Sequence, residues 1–201
     1  IGGHIRPDGD CVGACMALYL YLKKIYPEKR VELFLESPSE VFGCIKGIDQ
    51  IRTQITDEEG DFDVFIALDT AKERLGAAEA LFDRAGKTIN IDHHVSNMGS
   101  GMVNYIDAQA SSTSELIFDV IEESEIDEEI AKAIYIGIVH DTGVFRYSNT
   151  SSKTMQIAAK LLNFGFDHSD IVEKTFYEKT YVQNLLLGRA LMESIFVMDG
   201  K

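Results

Sequence analysis

Four clusters of acids and histidines in this sequence have the residue types of metal ligands. The first, Asp92-His93-His94, directly follows the short apolar run 86–91. This run has the composition of a buried strand, and open parallel α/β sheets bind ligands at the carboxyl ends of their strands. The other three clusters also follow apolar runs, and they are His4 to Asp10, Asp69 and Asp141. Four such clusters in one chain predict a shared metal site.

The loop from His4 to Asp10 combines an imidazole with two carboxylates. Asp8 and Asp10 flank Gly9, so a turn there can direct both carboxylates to one side. Carboxylates suit hard divalent ions, and an imidazole adds a preference for Mn²⁺ or another transition metal over Ca²⁺ or Mg²⁺. The alternative is a polar loop in which Asp10 caps the following helix, but it leaves His4 without a role.

The two adjacent histidines are expected to differ in role. Neighbouring side chains of an extended segment point to opposite sides, so one of His93 and His94 can bind metal while the other faces a substrate. Asp92 is better suited to orient an imidazole than to bind metal directly. Asp69 and Asp141 are each ambiguous alone, because an acid after an apolar segment is often a loop residue. The joint pattern is what favours a functional site.

Other reactive residue types have weaker support. Cys11 and Cys15 are four residues apart in a predicted helix, where packing in a reduced core is favoured over metal binding. Arg146 could hold a phosphate with two hydrogen bonds or be solvated, and the sequence leaves both open. No function is predicted for His140 or His168.

The composition restricts the class of protein. The chain has 201 residues, 45% of them hydrophobic, and a net charge of −14, which fits one α/β domain or one domain and part of another. Long nucleic acids are disfavoured as ligands because they bind through many Lys and Arg contacts to phosphate. Small anionic substrates are compatible if metal ions neutralise the site. No apolar run reaches membrane-spanning length, and three cysteines without a CxxC pair favour a cytoplasmic location.

The apolar segments predict alternating strands and helices. Strands are expected at 1–5, 31–35, 63–68, 88–91 and 103–106, and helices at 11–26, 39–48, 77–84, 112–123, 127–139, 154–162, 169–175 and 181–196. Strands that are apolar on both sides belong inside parallel sheets. We therefore predict an α/β fold with a five-stranded parallel, Rossmann-like sheet that has helices on both faces and is followed by helices.

The motifs resemble those of the DHH phosphoesterase family. His4-Ile-Arg-Pro-Asp8-Gly-Asp10 is similar to the family's first motif, His-x-x-Pro-Asp-x-Asp, and Leu68-Asp69 to the second. Asp92-His93-His94 is similar to the third motif, which names the family, and Gly137-Ile-Val-His-Asp141 to the fourth. Within the family, segments 90–97, 110–115 and 141–150 most resemble the small bacterial oligoribonucleases (nano-RNases) that are also pAp phosphatases.

The resemblance implies a centre with two Mn²⁺ ions, for which Mg²⁺ or Co²⁺ are alternatives. Carried over to this sequence, the ligands of one ion are His4, Asp8 and Asp69, and those of the other are Asp10, Asp69, His93 and Asp141. Asp69 would bridge the two ions. The residues implied in catalysis are Asp69, Asp92 and His94, and those implied in substrate binding are His94 and Arg146.

The implied activity is hydrolysis of short oligoribonucleotides, nucleotide 3′-phosphates such as pAp, or both, by water that two metals activate. The alternatives are hydrolysis of a phosphoanhydride such as pyrophosphate and a metal-binding module without catalysis. Residues 1–180 are expected to form the catalytic domain, and 181–201 a helix leading towards a substrate domain that is not in this chain. The expected partner is the oligonucleotide or nucleotide phosphate; no membrane association is expected, and a homodimer is compatible.

Overall fold

The centre of the fold is a parallel sheet. A computed structural model of the chain describes residues 1–56 and 60–194. The sheet has the strand order β1-β2-β3, formed by Val64–Leu68, Lys87–Asp92 and Val103–Ile106. Leu68 pairs with Ile91, and Asp92 with Ile106, so the carboxyl ends of neighbouring strands lie side by side. The predicted α/β class with a parallel sheet is confirmed.

The prediction of five strands is wrong, because the sheet has three within the part of the chain that the structure describes. Among the described residues, segment 1–5 reaches β1 through the isolated parallel bridge Gly2–Ala67, and segment 31–35 joins Gly2 and Arg52 through the bridges Gly2–Phe34 and Phe34–Arg52. Beyond its bridge the first segment leaves the sheet, and the N–H of Ile5 donates to the carbonyl of Arg74 instead. An apolar pattern predicts that a segment is buried, but the number of residues that pair in a sheet depends on the path of the neighbouring segments.

Helices make up most of the remaining chain. Those among the described residues are α1 Gly9–Ile25, α2 Glu79–Arg84, α3 Thr113–Val120, α4 Glu128–Asp141, α5 Ser152–Leu162, α6 His168–Val172 and α7 Tyr181–Glu193. The turn Glu173–Tyr177 continues α6 as a π-helix. The helix expected at 39–48 is instead two 3-10 turns, Glu40–Cys44 and Ile48–Gln50. Residues 195–196 of the last expected helix lie outside the described residues.

Two apolar cores cover the two faces of the sheet. Phe65 and Ala67 of β1 belong to a small core that also contains Phe82 of α2. Leu68 belongs to the larger core, which α1, α3 and α4 share. Because alternate residues of a strand face opposite sides, the all-apolar strand requires cover on both faces. The predicted placement of helices on both sides is therefore seen.

Close packing of α1 against α4 brings acids from both helices to one end. A Cβ added to Gly13 would lie 2.6 Å from the carbonyl oxygen of Ala133 and 2.8 Å from the nitrogen of Gly137. Only glycine allows this approach. The helices are antiparallel, since Gly9 lies against His140. The start of α1 and the end of α4 thus meet near the carboxyl ends of β1 and β2.

The last described helix lies at the periphery. None of the residues of α7 is buried, and Leu186 is 61% exposed. The expected domain boundary at residue 180 stays a prediction. Within the part of the chain that the structure describes, no helix combines the length and the apolar character needed to cross a membrane.

Candidate metal centre

His4 lies just before α1 with its imidazole fixed in orientation. Nδ1 donates to the carbonyl of Ile5 at 2.8 Å, which leaves Nε2 free to act as a ligand. Nε2 is 3.4 Å from Asp69 Oδ2 and 3.7 Å from Asp8 Oδ1. Burial lowers the pKa of His4, but the contacts with Asp69 and Asp8 outweigh it, and the pKa is raised. The ring is therefore held between two carboxylates.

The residue that caps α1 is Asp8, and the expectation that Asp10 would do so is wrong. The Asp8 carboxylate accepts hydrogen bonds from the N–H groups of Asp10 and Cys11, each at 3.1 Å. Burial raises the pKa of Asp8, while the contact with His4 and these N–H groups lower it to about 2. Asp10 lies in the first helical turn and is only 1% exposed, so the cap frees it to face the site.

The N-terminus of α3 holds Asp10. The N–H of Thr113 donates to Asp10 Oδ2 at 2.6 Å, and the N–H of Ser114 donates to Oδ1 at 2.9 Å. Both N–H groups belong to the first turn of a helix, where a negative charge is favourable. The sequence predicted that a helix starts after Ser112, but it did not predict that this helix would bind a carboxylate from α1.

Asp69 occupies the middle of the cluster. It follows β1 with a φ of 59°, a conformation that Asp tolerates better than most residues. Its Oδ1 accepts a hydrogen bond from the hydroxyl of Thr113 at 3.0 Å. The same oxygen lies 3.7 Å from His93 Nε2 and 3.6 Å from His94 Nδ1. The position of Asp69 among three imidazoles agrees with that of a shared ligand.

Both adjacent histidines face Asp69, although neighbours were expected to point in opposite directions. Their ring centroids are 4.7 Å apart, at an angle of 58°. The backbone is not extended here, because one Asp92 oxygen accepts the N–H groups of both His93 and His94, at 2.7 and 3.1 Å. His93 Nε2 also lies 3.8 Å from Asp10 and 3.5 Å from Asp141. His93 is thus surrounded by three carboxylates.

Asp92 orients the more exposed His94. Asp92 Oδ1 accepts from His94 Nδ1 at 2.7 Å, and Oδ2 accepts from Asn97 Nδ2 at 2.6 Å. The bond to Asp92 raises the pKa of His94 to about 9. Burial raises the pKa of Asp92, but its bonds from His94 and Asn97 leave it below its usual range. At neutral pH His94 is therefore a cation that is 41% exposed beside the cluster.

The negative charges of Asp10, Asp69 and Asp141 are not fully compensated by positive groups around them. Burial and the nearby Asp10 raise the pKa of Asp69 to about 7 and that of Asp141 to about 6. Burial likewise raises the pKa of Asp10. A divalent cation would supply the compensating charge. The residues present fit such an ion, because carboxylate and imidazole donors together suit transition metals.

Ligand atoms within 4.8 Å of one another form three groups among the described residues. The groups are Asp10–His93–Asp141, Asp69–His93–His94 and His4–Cys11–Asp69. Five of the six predicted metal ligands occur in them, and Asp8 contacts the third group through His4. The sequence assigned Cys11 to packing; its side chain is fully buried but also lies at this edge of the site.

One predicted site residue lies outside the cluster, and three residues of the site were not predicted. Arg146 is exposed in the turn after α4, and within residues 1–56 and 60–194 its guanidinium forms no ion pair, so its role stays a prediction. Asn97, Asn90 and Thr113 were not predicted as site residues. Asn97 links Asp92 to the carbonyl of Thr70 and to Asn90. The available signal was a polar, uncharged Asn90 between the two apolar residues Ile89 and Ile91.

Comparisons with known proteins agree with these motifs. A family model described as the N-terminal domain of the DHH family matches residues 1–138. The chain is 29% identical to the bifunctional oligoribonuclease and PAP phosphatase NrnA of Bacillus subtilis, an alignment that covers 96% of this chain and 64% of the relative. It is 28% identical to the protein of the same name from Thermus thermophilus, over 100% of this chain and 60% of the relative. The chain thus spans less than two thirds of the length of these relatives.

Solved structures show the same fold. An exopolyphosphatase-related protein from Bacteroides fragilis superimposes with a TM-score of 0.83 and 28% identity, over 95% of this chain and 59% of that protein. A putative family II inorganic pyrophosphatase from Methanococcus jannaschii gives a TM-score of 0.61 at 17% identity, over 86% and 60% of the respective chains. The second likeness concerns the fold alone.

Proposed function

The chain belongs to the DHH family, and from this premise we propose that it hydrolyses phosphoesters of short oligoribonucleotides, of nucleotide 3′-phosphates such as pAp, or of both. The observation that carries the proposal is the convergence of His93 on Asp10, Asp69 and Asp141, at 3.5–3.8 Å. These residues come from four separate parts of the chain. Such a donor set is suited to divalent ions that act on phosphoryl groups.

We propose that the site holds two Mn²⁺ ions. The ligands proposed for one ion are His4, Asp8 and Asp69, and those for the other are Asp10, Asp69, His93 and Asp141. When bound, such a pair lowers the pKa of water and offsets the charge of phosphoryl oxygens. Mg²⁺ and Co²⁺ are the alternatives, since oxygen and imidazole ligands accept all three ions.

His94 is the proposed contact to the substrate phosphate. Its Nδ1 donates a hydrogen bond to Asp92, and its Nε2–H can donate to a phosphoryl oxygen. The raised pKa of about 9 keeps the ring protonated at neutral pH, so it can stabilise negative charge that develops in the reaction. Arg146 would be a second phosphate contact. Asp92 acts by holding His94 and not by binding metal.

The names of the relatives support nucleotide substrates, while one solved structure supports a second candidate. The relatives from Bacillus subtilis and Thermus thermophilus are named for oligoribonuclease and PAP phosphatase activities. The Bacteroides fragilis structure is named as exopolyphosphatase-related, which favours phosphoanhydride hydrolysis as the second candidate. A module that binds metal without catalysis is the third. Homodimer formation and a cytoplasmic location remain predictions.

A substrate panel separates these candidates. The purified chain would be incubated with Mn²⁺ and, in parallel, with pAp, a diribonucleotide, pyrophosphate and a short linear polyphosphate. We expect faster turnover of pAp or the diribonucleotide, and no turnover by Asp69→Ala, which loses the shared carboxylate. Faster phosphate release from pyrophosphate or polyphosphate would favour the second candidate. Bound Mn²⁺ with no turnover of any of the four compounds would favour the third.

A further inference from the structure

We infer that His140 is a positioning residue that fixes residues 8–10, the cap and first residues of α1, against the π-helical turn Glu173–Tyr177. The inference rests on the proposed metal centre and assigns a role to a residue outside its ligand set. His140 immediately precedes Asp141 in α4, so it shares the backbone of one proposed ligand. Its ring lies against Gly9 at the start of α1.

On one side the imidazole lies directly against the backbone of residues 8–10. A Cβ added to Gly9 would come within 2.5 Å of both Cβ and Nδ1 of His140. Gly9 lies between Asp8 and Asp10, so the ring supports the peptide that carries both carboxylates. His140 is thereby next to three of the six proposed ligands, through contact with Gly9 and through its bond to Asp141.

On the other side the ring is held by the helical second half of the chain. His140 Nε2 lies 3.0 Å from the hydroxyl of Thr175, and Thr175 is only 7% exposed. Phe176 packs edge-on at a centroid distance of 5.5 Å, and Phe42 does so at 5.2 Å. Because these contacts fix the ring in position and rotation, it can in turn fix Gly9.

The location of Thr175 connects residues 8–10 to α6 and the chain beyond it. Thr175 is the middle residue of the π-helical turn, and π-helical turns are rare and occur frequently at functional sites. A shift of this turn would move His140 and, with it, the backbone of residues 8–10. His140 acts here through its shape and its hydrogen bond, and no change of protonation is needed.

Variants of three residues test this coupling through the affinity for Mn²⁺, measured by titration calorimetry on the whole chain. Partners that orient ligands typically contribute 10–100-fold to metal affinity, so His140→Ala should weaken binding about 10-fold or more. Thr175→Val, which loses one hydrogen bond, should weaken it about two- to tenfold. Thr175→Ser should restore it. Gly9→Ala should weaken binding because its methyl group would overlap Cβ, Cγ and Nδ1 of His140. His140→Gly removes all three of these atoms and should relieve the overlap, whereas His140→Ala keeps Cβ.

The double variant gives the sharpest outcome. Gly9→Ala combined with His140→Gly should bind Mn²⁺ no more weakly than His140→Gly alone. A matched control is His168→Ala, since His168 is exposed and its ring is 6.5 Å from that of Tyr135; it should leave affinity unchanged. If His140→Ala fails to fold, Thr175→Val against Thr175→Ser decides.

Two results would overturn the inference while leaving the proposed function intact. One is wild-type affinity in both His140→Ala and Thr175→Val. The other is a double variant whose loss is the product of the two single losses, because independent sites multiply. A wild-type chain that binds Mn²⁺ but hydrolyses no phosphate compound would instead refute the proposed function alone. A wild-type chain that binds no Mn²⁺ would refute both.

Discussion

Replacing Thr113 by Val should weaken metal binding without changing the shape of the site. The hydroxyl of Thr113 donates to Asp69 at 3.0 Å, and both residues are at most 1% exposed. Valine has nearly the same shape and lacks the hydroxyl. The backbone N–H of Thr113, which donates to Asp10, is kept. The substitution therefore removes one buried hydrogen bond to a carboxylate.

The size of the effect follows from the charge of the acceptor. A hydrogen bond to a charged group contributes about 1.5–3 kcal/mol, which equals about one to two pKa units. Burial and Asp10 already raise the pKa of Asp69 to about 7, and the substitution raises it further. At neutral pH a metal ion must then displace a proton from Asp69. We expect the lower end of the range, about tenfold weaker Mn²⁺ binding near neutrality, because His4 still contacts the carboxylate.

The pH dependence distinguishes this mechanism from general damage. Mn²⁺ affinity would be measured by titration calorimetry for wild type, Thr113→Val and Thr113→Ser, at about pH 7 and at about pH 9. The deficit of Thr113→Val should shrink at the higher pH, where Asp69 is ionised in every variant. Thr113→Ser keeps the donor and should resemble wild type. An equal deficit at both pH values, or equal behaviour of the two variants, would refute the reasoning.

Three further outcomes are expected. His94→Ala should reduce kcat by about 10²–10³-fold while keeping bound Mn²⁺, whereas His93→Ala should lose Mn²⁺ by elemental analysis; equal metal loss in both would mean that the roles are assigned wrongly. Scanning calorimetry should show that the metal-free chain loses stability as pH rises from about 5.5 to about 8.5, because the folded pKa values of Asp69, Asp141 and His94 all lie above their usual ones. Added Mn²⁺ should flatten this trend, and a rise in stability with pH would contradict the explanation. Gly13→Ala should lower the free energy of unfolding, measured by urea denaturation, by about 1–3 kcal/mol, since its Cβ would lie 2.6 Å from a backbone oxygen of α4. Gly43→Ala should not lower it, because nothing lies within 4 Å of that Cβ. Equal effects of the two substitutions would refute the close-packing explanation.

The sequence determined the class of fold and the list of candidate ligands. The all-apolar segment 64–68 required cover on both faces, and the structure places separate cores there. Asp69 and Asp92 were placed at strand ends because apolar runs stop at them, and parallel strands bring such ends together. These features are local, since they depend on periodicity and on residue type at fixed spacing.

Tertiary structure decided how the ligands are held. The carboxylate of Asp10 is held by α3, because the N–H groups of Thr113 and Ser114 donate to it from 103 and 104 residues away. The common direction of His93 and His94 depends on the carboxylate of Asp92, which turns the backbone between them. The loss of two expected strands depends on where their neighbours leave the sheet. A local pattern states which side chains are buried or polar, but a hydrogen-bond partner about a hundred residues away is chosen only when the helices pack.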